Sequence, residues 1–199
     1  MAESFVQVNE GTGKKLHTYQ KVVGANTVED EIVVLGEPYL PSYAARAAAI
    51  AANATGDRLF ALIAGATLPV RIWRIEVWQD TAAAATAYQL LNFRRITSPT
   101  GGTANTPQPF DTTSAAAGAS LSAKPTAGTL GTIFFSLNLQ VGAATSLLPD
   151  RAMAVWDASI NRQPIIIPAG TSNSFGCSIA SAIATVTYGV NVYFDETSF

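Results

Sequence analysis

The residues able to do chemistry in this 199-residue chain are few and scattered. His17 is the only histidine, and it follows Lys14 and Lys15 near the start. A serine hydrolase needs a nucleophile, an imidazole and a carboxylate in mutual reach. No Gly-x-Ser-x-Gly occurs, so that constellation is not expected. A jelly-roll metal site of the cupin kind needs several imidazoles, which one histidine cannot supply. Gly11-Thr12-Gly13-Lys14-Lys15 contains a Gly-Lys step, but the first glycine of a P-loop is missing and Lys15 replaces its Ser or Thr. Cys177 is the only cysteine, which excludes an intrachain disulfide and a cysteine metal cluster. Its setting, Phe175 to Ile179, reads as a strand holding a buried, inert thiol.

Carboxylates and tryptophans remain. Glu76 and Asp80 flank one turn, and Asp195-Glu196 closes the last strand. A glycosidase pair faces across a cleft at roughly 5–9.5 Å, and no spacing here selects such a pair. Trp73, Trp78 and Trp156 are candidates to stack on a sugar ring, with core or subunit-interface roles as the plainer alternative. No catalytic, cofactor or metal residues are assigned, and the chain is expected not to be an enzyme.

The elements that carry these residues read as strands. Arg162 to Gly170 is a short apolar run between Pro164 and Pro168, which cannot donate to a ladder and so mark where pairing begins and ends. Thr185 to Phe194 alternates, with Val186, Tyr188, Val190, Val192 and Phe194 predicted to face the core. Arg58 to Ala66 reads as a buried strand. In Val70 to Gln79, Trp73, Ile75 and Val77 are assigned to the core. Ile72, Arg74, Glu76 and Trp78 are assigned to an outer face of interface composition. Asp80 to Thr86 is expected to be a hairpin tip, with Ala87 to Ile96 as the returning strand. Leu130 to Gln140 is expected to bury Ile133, Phe135, Leu137 and Leu139. Ala152 to Asp157 reads as a short strand. The stretch 97–129, rich in Thr, Ser, Ala, Gly and Pro, is expected to be a long surface loop anchored by Phe110, a second interface candidate. This series of strands predicts an all-β fold, an antiparallel two-sheet β-sandwich of jelly-roll type covering 58–199.

Residues 1–57 read as an extended N-terminal arm with short strands near Phe5 to Val8, Leu16 to Val23 and Val28 to Leu35. Glu3, Glu10, Glu29, Asp30, Glu31, Glu37 and Asp57 give it half of the chain's 14 acidic residues. Within it, Tyr43 to Ala54 is rich in alanine, the best helix former; strand is expected there, with helix as the alternative. Ordering some forty residues costs about 40–80 kcal/mol of backbone entropy. The arm is therefore expected to lie on other chains through Tyr19, Val22, Val23, Ile32, Val34 and Tyr39.

Only 13% of residues are charged against 48% hydrophobic, so much of the surface is expected to meet other protein. A net charge of −2 gives no nucleic-acid footprint. No run of 18 apolar residues predicts a membrane helix. The start, Met1 to Phe5, lacks the pattern of a signal peptide, so synthesis and folding in a cytoplasm are expected.

Two stretches together carry a resemblance. They are Thr12 to Gln20 with Val28-Glu29-Asp30-Glu31 and Gly36-Glu37-Pro38-Tyr39, and Arg162 to Gly170 with Phe194-Asp195-Glu196. The combination is similar to small virion structural proteins of tailed bacteriophages, in particular capsid decoration (cement) proteins with a jelly-roll body. The resemblance implies a non-enzymatic virion protein, a homotrimer, whose arm grips sister chains or the phage major capsid protein. It implies no cofactor, no nucleic-acid partner and no membrane. A receptor- or glycan-binding module of a head fibre or tail is the alternative.

Overall fold

The computed structural model describes residues 3–7, 15–23, 26–31, 41–52, 54–143, 153–161 and 163–196. The chain divides into two compact units, Met1–Tyr39 and Leu40–Phe199. In the first, β1 (Glu3–Gln7), β2 (Lys15–Val23) and β3 (Asn26–Glu31) form an antiparallel meander. Its register sets Glu3 against Tyr19 and Tyr19 against Asp30. These strands overlap the expected extended segments and pair with one another, while Val8 and residues 32–35 of those segments lie outside the described residues.

The second unit is an all-β sandwich. Its strands are β4 (Ser42–Ile50), β5 (Arg58–Ile63), β6 (Val70–Gln79), β7 (Ala87–Thr100), β8 (Thr103–Asn105), β9 (Gln108–Pro109) and β10 (Ser120–Ala123). There follow β11 (Ala127–Val141), β12 (Met153–Asp157), the single-turn helix α1 (Ala158–Asn161), β13 (Ile165–Ile167), β14 (Ser174–Ile179) and β15 (Tyr188–Glu196). One sheet has the order β12-β6-β15-β4-β9, with β13 also on β6; the other is β11-β7-β14-β5-β10-β8. With the short strands set aside, β4-β15-β6-β12/β13 faces β5-β14-β7-β11, the jelly-roll order.

Four expectations are corrected. The body begins near residue 40, not at 58, because β4 pairs along its length with β15 inside the first sheet. Tyr43, Ala45 and Ala47 are buried and Arg46 is exposed, so burial against the core and pairing with β15 override alanine's helix preference. Asp80 to Thr86 is not a hairpin tip: β6 and β7 lie in different sheets, and the link crosses between them. The stretch 97–129 is not one loop, since it contains the end of β7, then β8, β9, β10 and the start of β11. In β11, bulges on either side of Ile133 break the alternation. Ile133 and Phe134 are left 42% and 54% exposed, while Phe135 packs on Phe93 with centroids 4.7 Å apart.

The core lies between the sheets. β15 is its axis: Tyr188, Val190, Val192 and Phe194, with Val186 just before the strand, are all buried, as the alternation predicts. Cys177 is buried too, and burial pushes its thiol well above the ordinary range. One polar contact crosses the apolar interior, the Tyr188 hydroxyl donating to Gln89 Oε1 at 3.0 Å. The two residues belong to opposite sheets and both are fully buried.

Two outcomes follow from this packing. Val190→Asp should abolish the cooperative fold, because it replaces about 1.5–3 kcal/mol of aliphatic burial with an unpaired charge; normal expression and melting would refute the burial. Burial pushes the Tyr188 hydroxyl from 10.0 up to about 12. The unfolded chain then loses this proton first, so stability should fall as pH rises from about 10 towards about 12. Tyr188→Phe should flatten that slope in alkaline melts. At neutral pH it should cost about 1–3 kcal/mol, since it leaves Gln89 without its donor.

Candidate functional site

The predicted outer face of β6 is interrupted by one residue. Tyr193 of β15 pairs with Arg74, and the next residue, Phe194, pairs with Ile72, which leaves Trp73 as an extra residue in β6. Such a bulge reverses which side chains face out. Ile72, expected on the outer face, is fully buried; Trp73, expected in the core, is 40% exposed. Beyond the bulge the predicted alternation holds, with Ile75 and Val77 buried and Glu76 and Trp78 facing out, half-buried.

The bulge also divides the neighbouring edge. β12 pairs with β6 up to Asp157 opposite Arg74, and β13 takes over with Ile165 opposite Ile72. Between them the chain makes the single turn of α1. Asp157 caps that turn: its Oδ1 accepts from the Ser159 N–H at 2.8 Å and from the Ser159 hydroxyl at 2.6 Å. These bonds, helped by Arg74, hold the Asp157 carboxyl below its ordinary range. The result is an open groove of about 690 Å³ lined by Trp73, Arg74, Asp157, Ala158, Ser159 and Tyr193.

Its polar groups are linked. Arg74 Nε lies 2.8 Å from Glu76 Oε1, a charge pair too poorly aligned to count as a hydrogen bond, and Nη1 donates to Asp157 Oδ2 at 3.5 Å. Glu76 Oε2 accepts from the Tyr193 hydroxyl at 3.2 Å and from Asn191 at 3.0 Å. Burial, reinforced by Glu76, raises the Tyr193 hydroxyl above its ordinary value. Phe110, 64% exposed, stacks on Tyr193 with ring centroids 6.2 Å apart and 11° between the planes.

Trp73 is held from outside the groove. Its indole N–H donates to Asp195 Oδ2 at 2.5 Å, and Arg71 sits 5.3 Å from its ring centroid. Arg71 in turn grips Asp195 through two bonds of 2.8 and 3.0 Å. Trp78 stands farther along β6. Arg46 lies 5.8 Å from its ring centroid, and the indole fills the space above Gly189, where a Cβ would come within 2.2 Å of the ring. Trp156 belongs to the core.

The structure therefore joins Arg74, Glu76 and Phe110 into one face, keeps Trp78 at its margin and removes Ile72 from it. Trp73, weighed from the sequence as a sugar-stacking candidate but placed in the core by the alternation of β6, joins this face; Asp157, Ser159 and Tyr193 were not assigned from the sequence. Tyr193 was placed on the outer side by the alternation of the last strand, and Asp157-Ala158-Ser159 has the form of a helix cap; the bulge itself leaves no mark in the sequence. Of the expected arm residues, Tyr19, Val22 and Val23 lie in β2, and Ile32, Val34 and Tyr39 lie outside the described residues. His17 is also in β2. The carboxylates weighed for catalysis each hold structure: Asp80 accepts from the Ala49 N–H at 2.9 Å, and Glu196 from Gly118 and Ala119 at 2.9 and 2.5 Å. Among the described residues no cluster of three metal-ligating side chains occurs, and no helix is long and apolar enough to cross a membrane.

Gly189→Ala should expel the Trp78 indole from its seat. A red-shifted emission and a lower melting temperature are expected, and an unchanged protein would show that the ring does not rest on Gly189. Comparison of the chain with protein-family models, with curated proteins and with solved structures finds no match.

Proposed function

We propose that this chain is a non-enzymatic structural protein of a virion. In this reading it decorates and stabilises a phage capsid as a homotrimer, displaying the sandwich and using its N-terminal unit for contacts with neighbouring subunits. The observation that carries the reading is the two-part construction. Both sheets of the body are built from strands that start at Ser42 or later, while Glu3–Gln7, Lys15–Val23 and Asn26–Glu31 pair among themselves in a separate unit. A body with its own core is suited to display, and a small attached unit is suited to tethering.

Two further features support it. The edge strands β12 and β13 expose an apolar strip that includes methionine, a residue enriched where proteins meet. Met153, Val155 and Ile166 on these strands are 48%, 36% and 42% exposed. The stretch 110–119 is fixed to the body, with the Phe110 N–H bonded to Ser42 at 2.9 Å and the Tyr43 hydroxyl to Ala115 at 3.0 Å. It thus offers a defined contact surface.

The tether is testable by truncation after Tyr39. The cut must not reach Ser42, whose carbonyl holds Phe110. Residues 40–199 are expected to fold and melt cooperatively but to be lost from particles released by the host that carries the gene. The full chain should remain on them, and antibody to the body should label intact particles from outside. Full occupancy by the truncated protein would reject the N-terminal unit as the tether. Absence of the full chain from purified particles would reject the virion reading itself.

A further inference from the structure

We propose that the groove at the Trp73 bulge is a binding subsite for a neutral pyranoside. The sugar's C–H face would stack on the Trp73 indole, and its hydroxyls would bond to Arg74, Ser159 and Tyr193. The first argument is the state of Trp73. An indole that merely filled space would be buried. This one is 40% exposed, yet it is fixed by a bond from its N–H to Asp195 and by Arg71 stacked against it. An exposed ring held in place before a ligand arrives loses little freedom on binding. Tyr193 supplies a second aromatic wall, steadied by Phe110 on one side and Glu76 on the other.

The second argument is the set of polar groups. Sugar hydroxyls both donate and accept, so a matching site offers both functions close to an aromatic face. Arg74 carries five N–H donors, and its side chain is 43% exposed. The Ser159 hydroxyl gives its proton to Asp157, which leaves its oxygen able to accept. The Tyr193 hydroxyl likewise gives its proton to Glu76, and with Asn191 donating to one of its two lone pairs at 3.4 Å the other can accept. The volume, about 690 Å³, lies in the range of small-molecule sites.

Charge decides the class of sugar. Arg74, the one cation lining the groove, is paired with two carboxylates, Asp157 on the groove wall and Glu76 beside it. A sialic or uronic acid would meet carboxylates already occupying the arginine. A neutral hexose would meet no such repulsion.

The test uses the full chain on an array of neutral and acidic glycans, followed by calorimetric titration of the best neutral ligand and of sialyllactose. Saturable millimolar or tighter binding of a neutral glycan is expected, with sialyllactose at least about tenfold weaker. Trp73→Ala and Arg74→Ala should each weaken the neutral ligand by about tenfold or more, as truncation of a central contact does. Tyr88→Ala, a change at an exposed residue of β7 in the opposite sheet, should have no effect. If Trp73→Ala fails to fold, Arg74→Ala and ligand-observed saturation transfer from the Trp73 ring decide the matter. No binding to any neutral glycan, a preference for the acidic ones, or affinity indifferent to both substitutions would overturn the proposal. That failure would leave the capsid reading standing, because the capsid reading rests on the N-terminal unit.

Discussion

One extra residue in β6 governs the face of this molecule. A strand that kept strict alternation from Val70 to Gln79 would have to bury either Ile72 and Arg74 together or Trp73 and Ile75 together. The bulge at Trp73 resolves the conflict by letting Ile72 and Ile75 both point inward while Trp73 and Arg74 point outward. The same step ends the pairing with β12 and begins that with β13. It leaves room for the turn capped by Asp157, and so for the groove. The Asp195–Arg71 pair clamps β15 to β6 beside the kink and ties the exposed indole to it.

Much of the fold was legible because the core strands obey simple patterns. β15 alternates, and every apolar residue on its inward side is buried. The Pro-bounded run became β13. What escaped the pattern was set by long-range partners. Nothing in Asp80 to Thr86 distinguishes a hairpin from a link between sheets, because both are short and lined with small residues. β4 has the composition of a helix, and it is a strand because β15, far along the chain, offers it a ladder from Ser42 opposite Asp195 to Ile50 opposite Tyr188. The site was half legible: Arg74, Glu76 and Phe110 were chosen by residue type and parity. Trp73 was misplaced by the same parity, because a bulge is a property of two strands and not of one.

The scarcity of charge shapes the rest. With 13% charged residues, the carboxylates of the body serve as anchors. Asp80 holds the left-handed bend at Ala49, whose φ is 54°. Glu196 holds the backbone at Gly118 and Ala119, and so keeps the end of the 110–119 stretch against the first sheet. Gln79, neutral but similarly placed, exchanges two bonds of 2.7 Å with Gly142 and ties the ends of the two sheets together. Local geometry thus rests on isolated side chains near the ends of strands, which fix a bend within β4 and segments outside the ladders.

The interruptions in β11 bear on a different property. At 15 residues it is the longest strand of the body and lies at the rim of its sheet. A long rim of unpaired main chain is a template on which further chains polymerise. A protein with few charges has little electrostatic repulsion to prevent it. From Ala127 to Phe135 the ladder slips at three places, so no straight row of donors and acceptors is presented there. From Ser136 to Gln140 the outward side chains are Ser136, Asn138 and Gln140, which prefer water to a dry stack of sheets. The edge is thereby a poor template for strand addition by another chain.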